Sequence, residues 1–315
     1  MSGLTTIEIC AGAGGQALGL EQAGFEPVAL VEIDKACRQT LRYNRPIWNI
    51  IESEQADVRL FKGNAYKGVD LLAGGVPCPP FSQAGKQLGH ADERDLFPEA
   101  IRLVKESKPR AVMLENVRGF LDRRFDTYRA NLRKQLEDLG YMVDWRLLNA
   151  SDFAVSQLRP RVVIIALRPE NFRKFSWPMP CKTAPPTVDE LLHSQMSQNG
   201  WYGVGKWKEA ANDIAPTIVG GSKKHGGPDL GPTRAKRAWA KLGVDGRGIA
   251  YEPPKADFVG MPRLTVKMVA KLQGFPEDWH FVGNKTPAYR QVGNAFPPPV
   301  AAAVARQLAL SLNGR

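Results

Sequence analysis

From Thr5 to Leu167 short apolar runs alternate with amphipathic stretches, an order that few folds accommodate. The strand-like runs are Thr5–Cys10, Val28–Ile33, Val69–Ala73, Ala111–Leu114, Met142–Leu147 and Val162–Leu167. Between them lie helix-like segments at Gln16–Gln22, Lys35–Tyr43, Phe97–Lys105 and Tyr128–Leu139. Parallel neighbours in a sheet need a long crossover, usually a helix, so this spacing implies βαβ units. The sheet is expected to be mostly parallel and covered on both faces, an α/β architecture. Ligands of such sheets bind outside the carboxyl ends of the strands, so the residues just after each run carry the chemical interest.

The first run leads into Ala11-Gly12-Ala13-Gly14-Gly15 and then a helix with Ala17 and Gly19, a fit to the GxGxxG/A turn. Glycines there allow a tight turn and a close approach of a ligand to the backbone. Glu32 ends the second run about twenty residues on, where a carboxylate accepts hydrogen bonds from both hydroxyls of a ribose. A dinucleotide and S-adenosylmethionine satisfy this pattern equally, and a tight turn with no ligand satisfies it too.

The third run opens into GGVPCPPFSQAGK, residues 74–86. Cys78 stands between Pro77 and Pro79, which exclude regular structure and stiffen the loop. Most isolated cysteines are small buried hydrophobes; here the glycines and prolines argue for an exposed, shaped loop at the sheet edge. The fourth run delivers Glu115-Asn116-Val117 to the same edge, which sets a candidate acid beside a thiol.

From about Phe172 the texture changes. Residues 177–258 are rich in Pro, Gly, Lys, Arg and Trp with little periodicity, which reads as a smaller, loop-rich second domain. Regular character returns at Thr265–Leu272 and at Pro297–Leu312, where Val300, Val304, Leu308 and Leu312 recur at helical spacing. That last helix is expected to pack back on the first domain.

The chain of 315 residues is long enough for about two domains. Its formal charge of +11 favours a polyanionic partner. The four cysteines (Cys10, Cys37, Cys78, Cys181) form no CxxC pair, so neither a zinc site nor a disulfide framework is expected. No apolar run reaches the ~20 residues that span a bilayer, and the start lacks a secretory signal. A cytoplasmic protein without a metal is the expectation.

Taken together, the motifs resemble those of bacterial cytosine-C5 DNA methyltransferases of the type II restriction–modification kind, in family order across nearly the whole chain. EICAGAGG (8–15) resembles the first cofactor motif, and Glu32 and Asp57 the acidic residues that contact ribose and adenine. PCPPFS (77–82) resembles the nucleophile motif, Glu115-Asn116-Val117 the catalytic-glutamate motif and Gln157-Leu158-Arg159-Pro160-Arg161 the arginine motif. RLTVKMVAKLQGFP (263–276) and QVGNAFPPPV (291–300) resemble the closing motifs. One departure is Cys10, where the family usually has a Phe whose ring packs on adenine.

The resemblance implies a Rossmann-like S-adenosylmethionine-dependent methyltransferase sheet with a smaller target-recognition domain. Its expected divisions are 1–170 for catalysis and cofactor, 171–285 for target recognition, and 286–315 returning to the catalytic domain. The implied catalytic residues are Cys78, Glu115, Arg159 and Arg161. The Cys78 thiolate attacks C6 of a flipped cytosine, Glu115 bonds N3 and the amino group, and Arg161 suits O2. Arg159 shares that task or binds phosphate. The S-adenosylmethionine site is expected at Cys10, Ala11, Gly12, Gly14, Gly15, Glu32, Asp57, Pro77, Asn294 and Ala295. Double-stranded DNA is the expected partner, met by Ser82, Gln83, Thr217, Gly220, Gly221, Lys223, Lys224 and Arg234. Ser82–Arg94 would be the loop that closes over the base. A monomer is expected, with a cognate restriction endonuclease acting separately.

Three other readings compete. An NAD-type oxidoreductase accounts for the glycine turn and Glu32 but not for the Pro-Cys-Pro-Pro loop, Glu115 or the basic second domain. A non-catalytic DNA-binding protein leaves Cys78, Glu115 and Arg161 without purpose. An RNA methyltransferase with the same chemistry is expected to carry the Cys-Phe-Thr signature of the eukaryotic tRNA-methylating relatives, and the chain has none.

Overall fold

The computed structural model describes residues 3–77, 95–221 and 227–313. The expectations placed on Cys78, Ser82, Gln83, Lys223, Lys224 and the Ser82–Arg94 loop lie outside these residues.

Among the described residues six strands form one sheet: β1 (Leu4–Ile9), β2 (Phe25–Val31), β3 (Leu71–Gly75), β4 (Ala111–Val117), β5 (Met142–Asn149) and β6 (Pro160–Leu167). Their order is β2-β1-β3-β4-β6-β5. The pairs β1·β2, β1·β3 and β3·β4 are parallel, whereas β6 runs antiparallel to both β4 and β5. The mostly parallel sheet is thus present, with one reversed strand that the pattern of apolar runs does not disclose. Register slips by one residue between Thr6 and Ile7, opposite Pro27. A proline has no N–H to give the ladder, so a bulge there is the local solution.

The crossovers are α1 (Gly15–Gln22), α2 (Lys35–Asn44), α3 (Phe97–Ser107) and α4 (Asp126–Asp138). Side chains alternate between faces along a strand, and the core divides accordingly. Ile7, Ile9, Leu72, Val112, Leu114 and Ile164 pack with Phe97, Leu103 and Leu136 of α3 and α4. The alternate residues Leu71, Ala73, Met113, Val163 and Ile165 pack with Leu20 of α1 and with Val304 and Leu308 of α11 (Pro298–Asn313). The last helix therefore lies on the sheet. Gly19 is where it meets α1: a Cβ there would stand 2.5 Å from both Ala301 Cβ and the Pro298 carbonyl oxygen.

The region expected to be loop-rich holds more helix than its composition suggested. After a short α5 (Pro169–Phe172) come α6 (Val188–Met196), α7 (Val204–Ala210), α8 (Thr233–Lys241), α9 (Val266–Leu272) and α10 (Lys285–Asn294), and no strand among the described residues. α6 to α8 are at most nine residues long, too short for a helical period to stand out. Each is held by buried anchors, Leu192 and Met196 in α6, Trp207 in α7 and Trp239 in α8. Thr187 and Glu190 form a capping box at the head of α6. The core of this unit runs without a break into Ala11, Ala13, Leu41 and Trp48 beside the first glycine turn. No helix among the described residues is long and apolar enough to cross a membrane.

Candidate functional site

The carboxyl ends of β1 to β4 open onto a cavity of about 530 Å³, within the range of small-molecule sites. Its wall is built from the ends of these strands, the start of α2, residues 56–59 and one face of α10. Pro287, Arg290, Gln291 and Asn294 of α10 reach it, an i, i+3, i+4, i+7 stripe of a helix.

At one end the chain makes a tight turn with left-handed backbone at Cys10, Gly12 and Gly14 (φ 53°, 54° and 89°). The turn brings the Gly12 N–H to Glu32 Oε2 at 2.8 Å, while the Asp34 N–H donates to Oε1 at 2.7 Å. Each carboxylate oxygen thus has one backbone donor and spare acceptor capacity facing the cavity. Burial raises the Glu32 carboxyl above its ordinary value, and the two amides oppose that rise. Glu8 points from β1 into the same wall and is 1 % exposed. Its Oε2 has no partner, and burial, reinforced by Glu32, pushes its carboxyl well up. Burial and then Glu32, Glu8 and Asp57 likewise raise the Cys10 thiol, which stays protonated.

Of the expected cofactor residues, Cys10, Ala11, Gly12, Gly15, Glu32, Asp57, Pro77, Asn294 and Ala295 all line the cavity. Gly14 does not. It faces inward, where a Cβ would stand 2.7 Å from Leu41 Cδ2 and 3.0 Å from Trp279, so its part is to let the helix pack. The pattern had not singled out Glu8, Val58, Leu96, Arg290 or Gln291. Gln291 carried a signal only in hindsight: its Oε1 accepts from Thr40 of α2 at 2.6 Å, a contact between residues far apart in sequence.

At the other end Glu115 and Arg161 meet. Because β6 is antiparallel to β4, its start lies at the edge where the parallel strands finish. Glu115 pairs with Val163 and Val117 with Arg161, which sets Glu115 and Arg161 diagonally on one face. Arg161 Nε donates to Glu115 Oε1 at 2.7 Å, and both side chains are 12 % exposed. Burial raises the Glu115 carboxyl above its ordinary value, with Arg161 and then Arg159 pulling it down. Gly75 keeps the space beside it open: a Cβ there would lie 3.4 Å from Oε2. Asn116 Nδ2 donates to the Val76 carbonyl at 3.0 Å and so ties β4 to the chain just after β3, two residues before Cys78 in the sequence. The expectation had quoted Asn116 within its motif but given it no task.

Arg159 is 1 % exposed, and its guanidinium donates to three backbone carbonyls, those of Ile218 (2.6 Å), Gly293 (2.8 Å) and Ala295 (3.0 Å). These contacts turn two of its nitrogens toward the main chain, while Nε is buried without a partner. The residues expected at DNA divide in the same way. Gly220 is buried against Asn294, where a Cβ would stand 2.5 Å from its Oδ1. Thr217 is half-buried and its hydroxyl donates to the Leu158 carbonyl. Gly221 and Arg234 are exposed, the latter on α8 with Lys236 and Arg237. No group of three or more His, Cys, Asp or Glu among the described residues is placed to hold a metal.

The donor set fits a ligand with vicinal hydroxyls at the Glu32 end and a cationic group near Glu8, running toward the Glu115–Arg161 pair. A family model described as C-5 cytosine-specific DNA methylase matches residues 4–309. The type II methyltransferase M.NgoMIV of Neisseria gonorrhoeae is 57% identical over 311 residues, 98% of each chain. The type II methyltransferase M.NaeI of Lentzea aerocolonigenes is 55% identical over 316 residues, 99% of this chain and 76% of its own. Among solved structures, the Entamoeba histolytica methyltransferase EhMeth superposes with a TM-score of 0.67 at 15% identity, covering 98% of both chains. The S. pombe Dnmt2 methyltransferase gives 0.65 at 17%, covering 99% of both.

Proposed function

The chain belongs to the C-5 cytosine-specific DNA methylase family, and from that premise we propose that it methylates C5 of a flipped cytosine in duplex DNA through a covalent bond to Cys78. It is a cytosine-C5 DNA methyltransferase of the type II kind. The observation that carries the mechanism is the Glu115–Arg161 pair: Glu115 lines the cavity, and its neighbour Asn116 is hydrogen-bonded to Val76, two residues before Cys78 in the sequence.

The cavity would hold S-adenosylmethionine, which would supply an electrophilic methyl group on a sulfonium. Glu32 would accept from the ribose hydroxyls and Asp57 would meet the adenine, with Asn294 and Ala295 in the same wall. In the duplex, C6 of cytosine is shielded, so the base is swung out to meet Cys78. The Cys78 thiolate forms an S–C6 bond, and the C5=C6 π electrons move toward C5. Glu115, whose carboxyl burial raises above its ordinary value against the pull of Arg161 and Arg159, would hydrogen-bond N3 and the amino group as negative charge grows on the ring. Arg161 orients Glu115 and faces O2. Once C5 has taken the methyl, with S-adenosylhomocysteine as the leaving group, loss of the C5 proton to solvent restores C5=C6 and expels Cys78 as thiolate.

Residues 171–285 read the target, with exposed Arg234 and Gly221 on the DNA side and the surplus positive charge meeting phosphate. The biological role is the modification half of a restriction–modification pair. The protein works as a monomer that protects host DNA from a separate endonuclease. Support comes from the names of the relatives M.NgoMIV and M.NaeI, both type II methyltransferases. A nuclease-free genomic neighbourhood would count against the pairing.

The test is a mechanism trap. Incubation with S-adenosylmethionine and 5-fluorocytosine DNA of mixed sequence should give an adduct that survives a denaturing gel. Cys78→Ser should give none. Absence of the adduct in wild type, with binding of DNA and cofactor shown, overturns Cys78 as nucleophile.

A further inference from the structure

The buried guanidinium of Arg159 touches two parts of the molecule with different tasks. Ile218, which takes one of its hydrogen bonds, belongs to the segment 215–221 that leads to the DNA side. Gly293 and Ala295, which take the others, end α10, and Ala295 and Asn294 line the cofactor cavity. The same two parts are in direct backbone contact. A Cβ on Gly293 would stand 2.4 Å from Gly220 Cα, and one on Gly220 would stand 2.7 Å from the Asn294 nitrogen. Asn294 Nδ2 also donates to the Gly221 carbonyl at 3.3 Å. A buried amide holds the segment from its other side: Gln157 Oε1 accepts from the Ile218 N–H at 2.9 Å, and Gln157 Nε2 donates to Gln273 Oε1 at 2.7 Å.

Neither part can move without opening this junction. A shift of 215–221 would leave a buried Arg159 donor unsatisfied, and a shift of the end of α10 would do the same. Water does not reach the group to compensate, since Arg159 is almost wholly enclosed. A ligand that orders either part therefore orders the other, and the second ligand meets a junction already set.

We propose that Arg159 is a positioning residue that fastens the DNA-reading segment to the cofactor wall, so that DNA and cofactor each tighten the binding of the other. This rests on the reading of the cavity as the S-adenosylmethionine site and of 215–221 as DNA-facing. It replaces a direct contact of Arg159 with substrate by an indirect one. Linkage requires the effect to be equal in both directions.

The experiment measures S-adenosylhomocysteine binding to the full chain by calorimetry, alone and with a duplex that the wild-type enzyme has been shown to methylate. Wild type should bind it about tenfold more tightly with the duplex, and the duplex should gain the same factor from S-adenosylhomocysteine. Arg159→Lys presents one ammonium where three carbonyls were spanned, and the factor should fall toward one. Gly220→Ala leaves Arg159 intact but wedges the segment off Asn294, and should lower the factor even if Arg159→Lys does not fold. A merely structural Arg159 would weaken both binary affinities and leave their ratio alone. A wild-type factor of one, or a factor unchanged in both variants, overturns the proposal while leaving the functional reading intact. Failure of wild type to bind S-adenosylhomocysteine or the duplex by itself overturns both, and the binary titrations reveal that first.

Discussion

The two ends of the cavity hold their carboxylates by different means. Glu32 is fixed by main-chain amides, those of Gly12 and Asp34. Glu115 is fixed by another side chain, Arg161. Amides contributed by a turn cannot swing away or change charge, which suits an end that must present the same acceptors at every turnover. A guanidinium beside a buried carboxyl keeps its position while opposing the rise in its pKa that burial causes. Under the proposed function the main-chain-held carboxylate serves binding and the side-chain-held one serves chemistry, and that contrast makes the ends separable by mutation.

The largest expected effect is at the chemical end. Glu115→Gln keeps shape but cannot pass through the same protonation states, so methyl transfer should fall about 10²–10⁴-fold. S-adenosylhomocysteine affinity should stay within about threefold, as calorimetry would report; a joint loss would erase the distinction between the ends. Arg161→Met should cost activity and also about 3 kcal/mol of stability, because it strands Glu115 in a buried site. Urea denaturation of the variant and of the double variant with Glu115→Gln measures this, and the double variant should recover part of the loss.

At the binding end Glu32→Gln should weaken cofactor binding about tenfold or more by removing charge-assisted acceptors, while the rate at saturating cofactor changes less than threefold. Steady-state kinetics separate KM from kcat here. A fall in kcat alone would reverse the assignment. Gly19→Ala strikes the α1–α11 contact under both ends. Overpacking of this kind costs about 1–3 kcal/mol, so Tm should drop by several degrees, with Glu32 and Glu115 functions reduced alike.

The smallest effect lies far from the cavity, in the second unit, and depends on pH. Arg247 and then Arg263 hold the Asp245 carboxyl down at about 2 against its burial. The folded value lies below the unfolded one near 3.8. This interaction therefore contributes stability above that unfolded value and loses it as pH falls toward about 2. Both arginines are largely exposed to solvent, which screens the pair. Asp245→Asn should lower Tm by only ~1–2 °C at neutral pH, and the difference from wild type should shrink as the solution is acidified. A difference independent of pH would sink the ionic explanation.

Much of the sheet was legible because its signals are local. Each of the six strands overlaps an apolar run, and α1 to α4 fall within a few residues of their periodic stretches. The glycine turn, Glu32 and Glu115 were legible for a related reason, since strand ends in such sheets have one common edge. The short helices of the second unit escaped because their cores are made by single tryptophans from separate turns, Trp207 and Trp239. Arg159 and Arg161 look equivalent in a string because they stand two residues apart, and only packing tells them apart.

The amino-acid sequence by itself determined the order of strands and helices, the edge at which chemistry gathers and the residue types there. Those depend on side-chain period, turn glycines and proline, which act over a few residues. Tertiary structure alone decided that β6 is reversed, that Arg161 reaches Glu115 while Arg159 turns to three carbonyls, and that Gly14 faces inward while Gly12 lines the cavity. These outcomes depend on which distant segment buries which group, as when Ile218, Gly293 and Ala295 converge on one guanidinium. No short stretch of chain contains that information.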